Sequence, residues 1–109
     1  LANLYNQINP NKAEHHYLKV LELTPEDPMP YINISNYYLK NTKYKKCVKT
    51  LEEALSRQLG TKELFNNLGI AYLATKENEK SKSMFEQALK IDPSYKPALD
   101  NLENLEKID

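Results

Sequence analysis

Few side chains in this sequence could perform covalent or metal chemistry, and their spacing keeps them apart. His15 and His16 are adjacent, so on a helix they point about 100° apart and cannot bind one metal ion together. Cys47 is the single cysteine, and no histidine stands at a spacing that would activate it. The sequence has no glycine-rich phosphate loop, no His-Glu-x-x-His motif and no paired cysteines. We therefore predict a protein that is not an enzyme and that has no metal site and no cofactor.

Asparagines form a regular series. Asn33, Asn67 and Asn101 are separated by 34 residues each. A carboxamide offers both a donor and an acceptor, so such a series could pair with the peptide groups of an extended ligand. Helices pack about 8–10 Å apart and an extended chain rises about 3.3 Å per residue, so one asparagine could serve three ligand residues. The alternative interpretation is that each asparagine hydrogen-bonds a neighbouring helix.

The elements that must position these side chains repeat with the same period. Small and large apolar residues recur 34 positions apart, as follows: Ala13, Cys47 and Ser81; Tyr17, Leu51 and Phe85; Val20, Ala54 and Ala88; Leu21, Leu55 and Leu89. Such a period predicts one supersecondary unit used repeatedly, each burying its apolar face against the next.

Apolar residues spaced three and four apart predict helices throughout the chain. The predicted helices are Lys12–Leu23, Pro28–Lys40, Tyr44–Arg57, Lys62–Thr75, Glu79–Ile91 and Lys96–Ile108. We predict Asn11 as the N-cap of the first helix and Thr61 as the N-cap of the fourth. Gly60 is predicted to adopt the left-handed conformation after the third helix. No alternating pattern predicts a strand, so the predicted fold class is all-α.

The third unit resembles the tetratricopeptide repeat family in residue type and spacing. The matching residues are Phe65, Leu68, Gly69, Tyr72, Ser81, Phe85, Ala88 and Pro93. The resemblance implies a right-handed α-solenoid of antiparallel helical hairpins forming one domain, residues 1–109. It divides the chain into a partial repeat at 1–27, repeats at 28–61 and 62–95, and a capping helix at 96–109. Val20 departs from the family, which usually has a small residue there.

In proteins similar to this one, the first helix of each hairpin lines a concave groove. Carried over position by position, the resemblance implies these groove residues: Met29, Ile32, Asn33, Asn36, Leu39, Lys40, Glu63, Asn66, Asn67, Ile70, Leu73, Ala74, Asn101 and Asn104. The first, partial repeat would add Ala2, Tyr5 and Asn6. We therefore predict a protein-interaction scaffold that binds a peptide or a partner helix in this groove.

One subfamily, the chaperone-binding members, holds a terminal carboxylate with two asparagines and several basic residues. Asn36 and Asn67 match the asparagine positions, but the basic positions fall on Ile32, Pro97 and Asn101. None of these three residues is cationic, so a ligand carboxylate would have no charge partner. We predict that this chain lacks that function.

The overall charge favours no polyanionic or membrane partner. Lys+Arg and Asp+Glu both number 15, and no apolar run of 18 residues occurs, so we predict no nucleic-acid binding and no membrane insertion. Five lysines and no acids lie between Lys40 and Thr50, and we expect them on different faces of the solenoid. The lone cysteine cannot form an internal disulfide, which fits a cytoplasmic protein.

A second function is a structural assembly unit. Two to three repeats are near the minimum for a stable stack, and the first repeat here is partial. An apolar edge near Leu4, Tyr5 and Ile8 would then associate with a second copy or with the rest of a longer polypeptide.

Overall fold

The computed structural model describes the backbone of residues 10–108 and the side chains of residues 12–107. This part of the chain forms six helices and no strand: α1 (Pro10–Leu23), α2 (Pro28–Lys40), α3 (Tyr44–Ser56), α4 (Lys62–Ala74), α5 (Asn78–Ile91) and α6 (Lys96–Ile108). The predicted all-α solenoid of helical hairpins is confirmed. The helix boundaries agree with those predicted to within about two residues. None of the helices described is long and apolar enough to cross a membrane.

The helices stack in chain order and form two rows. Helix α2 pairs with α3, and α4 pairs with α5, so each pair is one hairpin. Helix α2 also contacts α4, and α4 contacts α6, so α2, α4 and α6 form one continuous row. We call these three the inner helices, and we call α1, α3 and α5 the outer helices.

A short polar contact joins the two helices of each hairpin. In the second hairpin, the Ser81 hydroxyl donates to the Gly69 carbonyl oxygen at 2.7 Å. In the first hairpin, the Cys47 thiol donates to the Ser35 carbonyl oxygen at 3.9 Å, one period earlier. All these groups are buried, and we call this contact the hairpin clasp.

The clasp requires the helices to approach closely, and one glycine permits this in the second hairpin. A Cβ atom on Gly69 would lie 2.5 Å from Cε1 of Phe85, whose side chain is fully buried. In the first hairpin a serine occupies the glycine position, and the smaller Leu51 replaces Phe85. The two hairpins therefore fill the same space with different combinations of side chains.

Small residues on the outer helices complete this packing. Ala13, Ala54 and Ala88 are fully buried. Val20, which occupies the position equivalent to Ala54 and Ala88, is 38% exposed. The larger valine side chain thus lies where α1 packs less closely than α3 and α5 do at the equivalent positions.

A polar cluster ties α1 to the next hairpin on the outer side. Glu14 accepts hydrogen bonds from the Tyr38 hydroxyl (3.0 Å), from Lys43 Nζ (3.3 Å) and from Lys46 Nζ (3.0 Å). Partial burial opposes ionisation of Glu14, but the hydrogen bonds from Lys46, Tyr38 and Lys43 outweigh it and lower its pKa. The ionised carboxylate therefore holds three groups of the neighbouring hairpin.

Two predicted helix ends are wrong. Asn11 lies inside α1, because the helix already begins at Pro10, a residue suited to the first turn. After α3 the left-handed residue is Gln58 (φ 63°), and no glycine has positive φ in the described residues. Gly60 is needed instead for space, since its Cβ would lie 2.8 Å from the Phe65 ring.

The hydrogen bonds at the end of α3 explain why the left-handed residue precedes Gly60. The Leu59 N–H donates to the Ala54 carbonyl, five residues back, and the Gln58 N–H donates to Leu55. These bonds close the Schellman turn two residues before the glycine. The same bond follows α2 and α4, where Thr42 (φ 57°) and Lys76 (φ 65°) are left-handed.

The predicted cap of α4 agrees with the structure. Thr61 has an extended backbone, and its hydroxyl accepts from the Leu64 N–H at 3.1 Å. Asp27 caps α2 in a similar way by accepting from the Met29 N–H at 3.0 Å. Helices α2 and α4 therefore begin at side chains that satisfy one of their first N–H groups.

Enlarging a buried alanine of either hairpin should destabilise the fold. Ala54→Leu and Ala88→Leu are each expected to lower the free energy of unfolding by about 1–3 kcal/mol, because no space exists for the added carbons. Ala74→Leu, at an exposed site of α4, is the control and should change it by about 0.5 kcal/mol or less. Urea denaturation measures all three. Wild-type stability of both buried variants would show that the assigned helix register is wrong.

Candidate functional site

The predicted groove residues all lie on the three inner helices, which contact one another in sequence. We call the side of α2, α4 and α6 that bears them the inner face. The predicted contributions of Ala2, Tyr5 and Asn6, and the predicted edge at Leu4, Tyr5 and Ile8, lie outside the described residues. The site can therefore be examined from α2 to α6.

The groove residues differ greatly in exposure. The exposed ones are Met29, Asn33, Asn36, Lys40, Glu63, Ala74 and Asn104. The half-buried ones are Leu39, Ile70, Leu73 and Asn101. Ile32, Asn66 and Asn67 are buried, so these three contribute mainly to packing between helices.

Asn67 joins two inner helices. Its Nδ2 donates to the Ser35 hydroxyl at 2.9 Å and to Asn36 Oδ1 at 2.8 Å. The Ser35 hydroxyl in turn donates to the Ile32 carbonyl at 2.7 Å. Both N–H groups of the Asn67 side chain are thus used inside the protein, between α4 and α2.

A second amide pair joins α4 to α6. Asn101 Nδ2 donates to Asn66 Oδ1 at 3.0 Å. We call this pair and the Asn67 hydrogen bonds the amide bridges. Asn67 and Asn101 therefore hydrogen-bond a neighbouring inner helix, which is the alternative interpretation of the asparagine series. Asn33, the first member of that series, is exposed.

The bridges also determine what the exposed amides can offer. Asn36 uses Oδ1 as the acceptor from Asn67, so its two N–H groups are left for a ligand. Because Asn67 fixes the orientation of the Asn36 carboxamide, those donors are held in place before a ligand arrives. Preorganised donors lose less conformational entropy when a ligand binds.

The inner face has few charges. Lys40 is the last residue of α2, and Glu63 lies in the first turn of α4. Nearby, Lys62 Nζ lies 2.8 Å from Asp92 Oδ2 and 5.1 Å from the centre of the Tyr95 ring. The hydrogen bond from Lys62 lowers the pKa of Asp92, so this pair is ionised at neutral pH.

The positions that would hold a ligand carboxylate contain no cation. Ile32 is 7% exposed, Pro97 is exposed, and Asn101 is engaged with Asn66. Asn36 and Asn67, which match the asparagine positions of the chaperone-binding members, are bonded to each other. The arrangement favours hydrogen bonds to neutral peptide groups over capture of a carboxylate.

The cysteine is separate from the inner face, whereas His16 lines a small cavity together with Asn33. Cys47 is buried in the hairpin clasp, and burial raises the pKa of its thiol to about 12. The thiol is therefore protonated at neutral pH and is a poor nucleophile. His15 and His16 are exposed on α1, and residues 12–107 contain no group of three side chains able to hold a metal ion.

The five lysines of the lysine-rich segment lie on the elements predicted for them and do not all share one face. Three of them nevertheless line one cleft, which was not predicted. The cleft has a volume of about 570 Å³ and is lined by Thr42, Lys43, Tyr44, Lys45, Lys46, Ala74 and Thr75. Lys43 follows the left-handed Thr42 and is the N-cap of α3, and Lys45 and Lys46 lie in the first turn of that helix. We call this site the turn cleft.

Comparison with known proteins yields one family. The chain matches the tetratricopeptide repeat family over residues 30–60 and 62–95. It is 32% identical over 104 residues to the human protein O-mannosyl-transferase TMTC3. That match covers 93% of this chain and 11% of the relative, so the chain spans a small part of that protein's length.

Solved structures share the fold at low sequence identity. The first TPR of Spaghetti (RPAP3), bound to the HSP90 peptide SRMEEVD, has a TM-score of 0.86 and 20% identity. That alignment covers 98% of this chain and 86% of the other. The second TPR domain of human RPAP3, in complex with the HSP70 peptide SGPTIEEVD, has a TM-score of 0.84 and 21% identity over 96% and 88% of the two chains.

Removing the Asn67 amide should destabilise the fold. Asn67→Ala is expected to lower the free energy of unfolding by about 1–3 kcal/mol, because one buried and one partly buried hydrogen bond are lost. Asn33→Ala makes the same chemical change at an exposed site and should alter it by about 0.5 kcal/mol or less. Thermal unfolding followed by circular dichroism compares the two. Equal stability of both variants would contradict a structural role for the amide bridge.

Proposed function

We propose that this chain, which belongs to the tetratricopeptide repeat family, binds a segment of a partner protein on its inner face. The observation that supports the proposal is the mixture of accessible apolar and amide groups there. Met29 is 53% exposed, and Ile70 and Leu73 are only half-buried. Asn33 and Asn36 are exposed on α2, the helix that also carries Met29. Apolar surface can hold ligand side chains, while the amides hydrogen-bond peptide groups.

The length of the inner face fits a short segment. Three inner helices spaced about 8–10 Å apart span about 16–20 Å from the first axis to the third. An extended chain rising about 3.3 Å per residue crosses that distance in about five to six residues. The proposed ligand is therefore a short extended peptide, and a partner helix laid across the same face is the other form it could take.

The solved relatives support a peptide ligand in this fold. Two TPR domains of RPAP3 hold peptides from HSP90 and HSP70. The ligand proposed here differs in chemistry from a terminal carboxylate, because Ile32, Pro97 and Asn101 supply no cation. We further propose that the chain is a non-catalytic module, since the buried Cys47 thiol is protonated and the inner face exposes amides and apolar groups.

A double substitution on the inner face should weaken partner binding without unfolding the protein. Met29→Ser with Asn33→Ala removes one exposed apolar contact and one amide, and we expect partner recovery in quantitative affinity capture to fall about tenfold. Ile91→Ser is the matched control, because Ile91 is also 53% exposed but lies on the outer helix α5. The control should recover partners at the wild-type level. Undiminished recovery by the double variant would move the binding site off the inner face.

Self-assembly is a second candidate function, supported by apolar exposure at the α6 end of the stack. Leu99 on α6 is 44% exposed, and Ile91 at the end of α5 is also exposed. Exposed apolar side chains at the end of a stack could associate with a second copy.

Self-assembly through this edge predicts a dimer that one charge disrupts. If assembly is the function, light scattering should give a dimer mass that Leu99→Lys returns to the monomer mass, because a lysine cannot be buried unpaired at low cost. Met29→Ser leaves this edge unchanged and is the control. A strict monomer at high protein concentration would argue against edge-driven assembly.

A further inference from the structure

The turn cleft has an excess of positive charge. Lys43 and Lys46 both pair with one carboxylate, that of Glu14, at 3.3 Å and 3.0 Å. Lys45 is exposed and forms no ion pair within the described part of the chain. Three lysines thus line the cleft, and one carboxylate, that of Glu14, pairs with two of them.

The fold does not require lysines at these positions, as the second hairpin shows. Glu77 and Glu79 stand one period after Lys43 and Lys45, in an equivalent turn. The left-handed residues of the two turns have φ values of 57° and 65°, and the same type of backbone hydrogen bond closes both turns. The same turn therefore also forms with acids at these positions.

Electrostatics within the helix make Lys45 unfavourable for stability. It lies in the first turn of α3, where the helix dipole favours acids and disfavours cations. The equivalent turn of α5 has Glu79, which agrees with that preference. Neither the turn geometry nor the helix dipole therefore explains why position 45 is a lysine.

The turn cleft is continuous with the inner face. Ala74 is a groove residue at the end of α4 and also lines the cleft. Lys40, another groove residue, ends α2 immediately before the turn that forms the other wall. A protein segment lying on the inner face can therefore extend over the cleft.

We propose that the turn cleft binds an acidic stretch of the partner segment, with carboxylates beside Lys45 and near Lys43 and Lys46. This inference rests on the proposed function of the inner face and adds the charge of the ligand. Charge complementarity of this kind raises the association rate and selects among partners.

The charge pattern favours an acidic protein over a nucleic acid. A phosphate backbone needs cations distributed along its path, whereas the excess here is confined to one cleft in a chain with a net charge of zero. Tyr44 is the single aromatic residue among those that line the cleft, and it is half-buried, so no series of exposed rings stacks successive bases.

A charge-reversal pair tests the proposal. The probe is an acetylated and amidated hexaglutamate peptide, titrated into the isotope-labelled protein and followed by NMR. Lys45→Glu places in the cleft the residue type that the second hairpin has at the equivalent position, so the fold should persist. Lys49→Glu is the matched control, because it makes the same change in net charge on the same helix but lines a different cavity.

We expect hexaglutamate to shift the backbone amide signals of residues 42–46, 74 and 75. Lys45→Glu should weaken binding about fivefold relative to Lys49→Glu, because only the first change replaces attraction by repulsion within the cleft. Equal weakening by the two variants would reduce the effect to general charge attraction and overturn the proposal. Amide shifts elsewhere, or tighter binding of hexauridylate RNA at the cleft, would overturn it too.

The test also separates this inference from the proposed function. Met29→Ser with Asn33→Ala alters the inner face away from the cleft and should leave hexaglutamate binding unchanged. If that double variant keeps its partners while hexaglutamate still binds the cleft, the inner-face function fails and the acidic site stands. If the double variant loses its partners and hexaglutamate does not bind, the acidic site alone fails.

Discussion

The hairpin clasp is the contact on which the rest of this structure depends. It brings a buried carbonyl of an inner helix within reach of a hydroxyl or thiol on its outer partner, at Gly69 with Ser81 and at Ser35 with Cys47. Such proximity requires small residues on both helices, since a Cβ on Gly69 would overlap the Phe85 ring. Because one side of α2 and one side of α4 are committed to this contact, their other sides are left for the next inner helix and for the inner face.

The amide bridges divide the inner face into supporting and available groups. Asn67 and Asn66 are buried and hold α4 against its two inner neighbours, so they determine the distance between successive inner helices. Asn33 and Asn36 are exposed, and Asn36 is oriented by the bridge from Asn67. Asparagine thus has two roles in this protein: the buried asparagines join helices, and the exposed ones are available to a ligand.

The sequence was sufficient to predict the hairpins, because side-chain size at a fixed period directly reports which helix faces must meet, as at Gly69 and Ser81. It could not assign Asn67 to the structure, since its hydrogen bond to Ser35 depends on how two separate helices cross. The left-handed conformation was wrongly assigned to Gly60, because the Schellman turn places it at Gln58. Residue spacing alone does not show which N–H donates to the carbonyl five residues before it. The turn cleft was not predicted because its lining combines the start of α3 with the end of α4, which are distant in the sequence.

The stacking of each hairpin only on its neighbours has a consequence for how the chain folds. The amide bridge between Asn66 and Asn101 joins residues 35 positions apart, and the bridge from Asn67 to Asn36 joins residues 31 apart. Each of these contacts therefore closes a loop of about one repeat, which favours rapid folding. Folding can then start in one hairpin and spread to its neighbours. Opening follows the reverse course, with fraying from the ends inward. A ligand laid across all three inner helices would couple these otherwise sequential units, so its binding would make the whole array melt as one.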